Sequence, residues 1–124
     1  TMAAGSAGLR DVYTAEVAVE HNARGDAFRD RLNTIARASG APAQVTGLGS
    51  MLGFHFDREP INTPDDAART SGQARALFHV DMLNRGFYTG KSGLSSLSLP
   101  LEAPDFDAFA SAYEAFLGDY GAVL

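Results

Sequence analysis

The stretch Gln44-Val45-Thr46-Gly47-Leu48-Gly49-Ser50-Met51-Leu52-Gly53-Phe54-His55-Phe56 decides how this chain is read. Val45, Leu52, Phe54 and Phe56 mark two short strands, over 44–47 and 51–57, because β-branched and aromatic side chains suit a pleated, half-buried surface. Gly47, Gly49 and Gly53 let the backbone bend or approach another backbone closely. The glycine spacing also has the outline of a dinucleotide-binding fingerprint. It fails in context, since Gly53 leads into a strand rather than a helix and a long helix precedes the run. A tightly packed strand pair is the reading that fits.

Upstream of it, Thr14 is a good N-cap with Glu16 in the first turn, opening a helix over 15–39. Val17, His21, Arg24, Phe28, Leu32 and Ile35 form one stripe of that helix, with His21 and Arg24 interrupting its apolar character. Gly40-Ala41-Pro42 stops it. Thr1-Met2-Ala3-Ala4-Gly5-Ser6-Ala7-Gly8-Leu9 reads as the inside of another helix without a leading cap, as expected of a chain cut from a longer protein, the alternative being a processed or engineered terminus on a complete small domain.

Downstream, Thr63-Pro64-Asp65-Asp66 opens a helix predicted over 64–85 and stopping at Gly86. Phe87-Tyr88-Thr89 reads as a strand at 86–89, and Gly90-Lys91-Ser92-Gly93 as a turn. Ser96-Leu97-Ser98-Leu99-Pro100-Leu101 alternates strictly and places a strand at 95–99, with its leucines inward and Pro100 at an edge or end. A last helix follows over 104–117. The order predicts an α+β fold, a small mostly antiparallel sheet with helices packed on one face. Leu32, Phe54, Phe56, Leu77, Phe78, Leu97, Phe109 and Phe116 are expected to be among the most buried side chains. No linker, low-complexity run or internal repeat divides the chain.

At 124 residues, 45% hydrophobic and 20% charged, the chain has the composition of one globular domain. Its net charge of −5 and pI near 5.0 argue against binding nucleic acid by bulk charge. Cysteine is absent, which removes disulfides and thiol chemistry. No apolar run reaches the length of a membrane span. The expectation is a soluble, cytoplasmic domain with neither nucleic-acid nor membrane partners.

Self-sufficient chemistry is hard to find. His21, His55 and His79 lie in different elements without metal-ligand spacing, so no metal site is assigned. His55 should point away from the rings of Phe54 and Phe56, onto a partly solvated sheet face, and His79 should face water. Asp65-Asp66 and Asp105/Asp107 sit in helix first turns, where dipole compensation explains them. Lys91, the only lysine, has the chemistry of a Schiff-base lysine but sits in a glycine-flanked turn where a solvated loop lysine is the simpler reading. That turn also lacks the spacing and following helix of a P-loop.

Taken in order, Thr1-Met2-Ala3-Ala4-Gly5, the 44–56 stretch and Asn84-Arg85-Gly86-Phe87-Tyr88 resemble the C-terminal part of class III pyridoxal-phosphate aminotransferases. The branch most resembled is the glutamate-1-semialdehyde aminomutase-like one, which also contains transaminases of β-amino acids. The Gly-x-Gly-Ser-Met-x-Gly pattern is the most specific piece. The resemblance implies that 14–124 is the small C-terminal domain of a fold-type I enzyme, with 1–13 the end of an interdomain helix. It implies a homodimeric parent transferring an amino group between an amino acid and a keto acid. Pyridoxal phosphate would be held chiefly by an upstream large domain carrying the Schiff-base lysine. No catalytic or cofactor-binding residue is assigned to this chain, which alone should bind no cofactor and be inactive. What the resemblance assigns here is a substrate-entrance wall: Gly49, Ser50, Met51, Lys91 and Ser92. Ser96 stands near a position where many relatives place a carboxylate-binding arginine, and the 90–93 loop is shorter than in the aminomutases, so a transaminase fits better. The alternatives are a free-standing, non-catalytic α+β binding module and one half of a split enzyme.

Overall fold

Thr14 starts the longest helix by accepting a hydrogen bond from the Val17 N–H at 3.3 Å, and Gly40 ends it in the left-handed region at φ 69°. A computed structural model describes residues 2–124. The chain runs α1 (Met2–Ala7), a π-helical turn (Gly8–Val12), α2 (Ala15–Ser39), β1 (Gln44–Leu48), β2 (Met51–His55), α3 (Pro64–Arg69), α4 (Gly72–Asn84), β3 (Leu94–Ser96) and α5 (Ala103–Tyr120). The strands form one antiparallel sheet in the order β1-β2-β3. The α+β class and the antiparallel sheet are as the sequence predicts.

The side-chain period of two sorts the sheet into a covered face and an open one. Val45, Leu52 and Phe54 point into the core with Phe56, while Thr46, Leu48, Met51 and His55 point the other way. On the covered side α2 buries His21, Gly25, Phe28, Leu32 and Ala36, at helical steps of four, three, four and four. Phe78 of α4 is fully buried among the rings of Phe54, Phe56, Tyr113 and Phe116, with centroids between 4.8 and 6.0 Å away. Edge-on and tilted rings at such distances stabilise the core beyond their area burial.

The two polar residues of the α2 stripe have a structural task. Arg24 donates to the carbonyls of Leu99 (3.3 Å) and Leu101 (3.1 Å) and to His21 Nδ1 (3.1 Å). With Nδ1 accepting, the other nitrogen, Nε2, donates to the Leu97 carbonyl at 3.3 Å. Residues 97–101 therefore hang their backbone acceptors on α2 instead of on a neighbouring strand.

Several expectations need correction. The predicted 64–85 helix is two helices, because Ser71 caps a new one by accepting from the Ala74 N–H at 3.1 Å. Residues 86–89 form no strand. The Thr89 carbonyl accepts instead from His79 Nδ1 at 2.6 Å, so His79 turns towards the protein and not simply towards water. The 95–99 strand is Leu94–Ser96, after which the chain leaves the sheet for its anchorage on α2. Leu77, Leu97 and Phe109 are only partly buried. Leu77 sits one position off the Ala74-Phe78-Met82 stripe, and Leu97 and Phe109 line a cavity of about 370 Å³ that keeps them accessible. Of the 1–13 segment, Thr1 lies outside the described residues. Met2, Leu9 and Val12 are 90%, 68% and 60% exposed.

Candidate functional site

The β1–β2 hairpin turns on two residues, Gly49 and Ser50, between the paired Leu48 and Met51. Gly49 has φ +57° and no other residue of the turn has positive φ, the pattern of a type II′ hairpin. Glycine is required there twice over, since a Cβ would also lie 2.2 Å from Asn22 Oδ1. The turn lies directly on α2. A Cβ on Gly25 would stand 2.1 Å from the Gly49 carbonyl oxygen, so this helix position tolerates no side chain without backbone movement.

Three side chains of α2 hold the hairpin end. Asp26 Oδ1 accepts from the Gly49 N–H at 2.9 Å, and Asn22 Oδ1 accepts from the Ser50 N–H at 3.2 Å. Arg29 donates to Asp26 at 2.5 Å and to the Gly47 carbonyl at 3.0 Å. The Gly49 N–H, and then Arg29, hold the Asp26 carboxyl below its usual range, so it is ionised at neutral pH.

The open face of the sheet forms a shallow depression of about 580 Å³, lined in part by Thr46, Leu48, Met51, His55, Ser92 and Leu94. Its rim is apolar and accessible, with Leu48 82% and Met51 52% exposed. His55 Nε2 lies 3.0 Å from Thr46 Oγ1, while its buried Nδ1 has no partner. Burial, and then the nearby Arg75 charge, lower the His55 pKa and favour the neutral ring. The 90–93 turn is stitched to the sheet by Phe54 N–H to the Gly93 carbonyl (2.9 Å) and Gly90 N–H to the Leu94 carbonyl (3.0 Å).

The residues expected at a substrate entrance are therefore arranged unequally. Met51 and Ser92 share the depression, and Ser96 stands opposite Met51 across the β2–β3 ladder. Gly49 is buried under α2, with Ser50 beside it at the hairpin tip. Lys91 is exposed and makes no ion pair among the described residues. Asn22, Asp26 and Arg29 escaped sequence reasoning. Their only signal is a polar i, i+4, i+7 row on α2, and nothing local ties that row to a hairpin end 18 to 28 residues further along the chain.

No cluster of metal-ligating side chains exists among the described residues. They also do not fit a complete pyridoxal-phosphate site. The single lysine projects from an exposed turn and pairs with no carboxylate among the described residues, so it lacks the enclosed setting that a Schiff-base lysine needs. What the face offers is an apolar wall with the hydroxyls of Thr46 and Ser92 in its lining.

A scan against protein-family models finds no match. The chain is 39% identical over all of its 124 residues to a β-phenylalanine transaminase of Variovorax paradoxus, of which it spans 29%. It is 30% identical over 118 residues to an uncharacterized aminotransferase of Schizosaccharomyces pombe and spans 26% of it. Over 92 residues it is 30% identical to a glutamate-1-semialdehyde 2,1-aminomutase of Campylobacter fetus. Among solved structures, a β-phenylalanine aminotransferase from Variovorax paradoxus superposes on 99% of the chain with a TM-score of 0.94 at 38% identity, the match covering 29% of that protein. A glutamate-1-semialdehyde aminomutase from Pseudomonas aeruginosa shares the fold, with a TM-score of 0.81 at 19% identity. The chain thus spans less than a third of the length of the relatives it matches.

Proposed function

We propose that this chain is the counterpart of the C-terminal domain of the class III pyridoxal-phosphate-dependent aminotransferases, the small domain of an enzyme moving an amino group between an amino acid and a keto acid. The observation that carries this is the match along the whole chain, in sequence and in fold, to just 29% of a β-phenylalanine transaminase. The same relative favours an aromatic β-amino acid as amino donor. In this reading residues 14–124 are the small domain and 1–13 the end of an interdomain helix. A large domain elsewhere in the parent carries the Schiff-base lysine and most cofactor contacts, and the parent is a homodimer. Pyridoxal phosphate supplies the electron sink when bound. This chain alone binds none and is inactive.

The contribution assigned to this chain is a substrate-entrance wall built from Gly49, Ser50, Met51, Lys91 and Ser92. Met51 and the leucines of the open face offer an apolar surface to a hydrophobic side chain and exclude water from it. Lys91 is free to attract a substrate carboxylate at the rim, as an exposed cation does without forming a fixed pair. The test is the full-length enzyme assayed with β-phenylalanine and a 2-oxo acid. Lys91→Ala should keep the absorbance of bound cofactor and change KM at most. Loss of that absorbance would make Lys91 the cofactor-binding lysine and sink the entrance-wall reading.

A further inference from the structure

We infer that Asn22 and Asp26 are positioning residues for the entrance turn, fixing Gly49-Ser50-Met51 from one face of α2. The inference rests on the entrance reading of that turn given above and adds the device that holds it in place. Neither residue would touch substrate.

The two side chains sit one helical turn apart, so both point from the same face of α2. Their oxygens accept from two successive backbone N–H groups, Gly49 at 2.9 Å and Ser50 at 3.2 Å. Successive amides held by two fixed acceptors fix a peptide plane in orientation as well as in place. Beneath them, the missing side chain of Gly25 lets the Gly49 carbonyl come down onto the helix. Arg29 closes the arrangement by gripping the Asp26 carboxylate and the Gly47 carbonyl together, so the carboxylate cannot swing away without losing its ion pair.

The consequence reaches the open face through covalent geometry. Met51 follows Ser50 directly, and the Ser50 carbonyl accepts from the Leu97 N–H at 2.9 Å. Met51 also pairs with Ser96. A turn that shifts on α2 therefore moves Met51 and the strand beside it, both at the margin of the depression. A hydrogen bond donated to an ionised acceptor is stronger than one to a neutral acceptor, so of the two anchors Asp26 should dominate.

The experiment uses the full-length enzyme and three variants, Asp26→Ala, Asp26→Asn and Asn22→Ala. Amide hydrogen exchange at Gly49 and Ser50 should speed up about fivefold or more in Asp26→Ala, the size expected for one lost hydrogen bond. KM for the amino donor should rise severalfold in the same variant, with kcat changed less than about twofold. Asp26→Asn keeps an acceptor oxygen and should recover part of both effects, whereas Asn22→Ala should show a weaker version of the Asp26→Ala pattern. Arg31→Ala, which removes an exposed ion pair between α2 and Asp107 of α5, serves as a purely structural comparison and should leave KM unchanged. Unchanged exchange at Gly49 and Ser50 in Asp26→Ala overturns the positioning role itself. Faster exchange with an unchanged KM shows real anchors and overturns the entrance reading on which the proposal depends.

Discussion

His55 shows how a single residue converts burial into pH dependence. Its ring lies on the open face with Nε2 against Thr46 and Nδ1 enclosed without a partner. Desolvation, then Arg75, pull its pKa below the ordinary 6.5, so the folded protein holds this proton less well than the unfolded chain does. Below pH 6.5 the unfolded state takes up the extra proton first, and the stability contributed by His55 is lost as the pH falls through its folded pKa. His55→Gln keeps a hydrogen-bonding group for Thr46 and removes the titration. Urea unfolding of the two proteins below pH 6.5 should show a shallower loss of stability for the variant. Identical slopes would mean that the ring is not held neutral by its surroundings.

At the scale of elements, caps decide more than propensity does. Thr63 accepts from the Asp66 N–H at 3.2 Å and Asp66 returns a carboxylate oxygen to the Thr63 N–H at 2.9 Å, a complete capping box on the six-residue α3. So short a helix has little else to nucleate it. Thr63→Ala should cost about 1 kcal/mol, read as a lowered urea midpoint at unchanged slope. Such local devices were legible in the sequence: Thr14, Gly40 and Thr63 fixed their helix ends, and the glycine-rich 44–56 stretch its hairpin. The break at Thr70-Ser71 was legible too, since Ser71 before Gly72 is a cap signal that the helical periodicity of the flanking residues obscured. Phe87-Tyr88-Thr89 failed for another reason. Its composition suits a strand, but a strand exists only where a partner backbone is free, and pairing is not written locally. The same holds at the site. Gly49-Ser50-Met51 could be located from its pattern, whereas Asn22 and Asp26 became visible only when α2 was seen lying against it.

For the whole molecule the telling quantity is surface. The chain exposes 7357 Å², against roughly 6400 Å² expected for a compact monomer of 13.1 kDa. The excess, on the order of 1000 Å², is about what one partner contributes to a standard protein interface. It includes Met2, Leu9 and Val12 at the start of the chain and Leu48, Met51 and Leu94 on the open sheet face. Expressed by itself, the chain should self-associate in a concentration-dependent way, and Leu48→Gln combined with Leu94→Gln should weaken that association in sedimentation velocity. A clean monomer at every concentration would show that this surface needs no cover. The one-sided sheet has a further, calorimetric consequence. Apolar side chains that already face water do not change their hydration on unfolding, so they add nothing to the heat-capacity increment. That increment should fall below the usual value of about 12–15 cal/mol/K per residue. The stability of the isolated domain should therefore curve less with temperature than that of a protein in which the same sheet is covered on both faces.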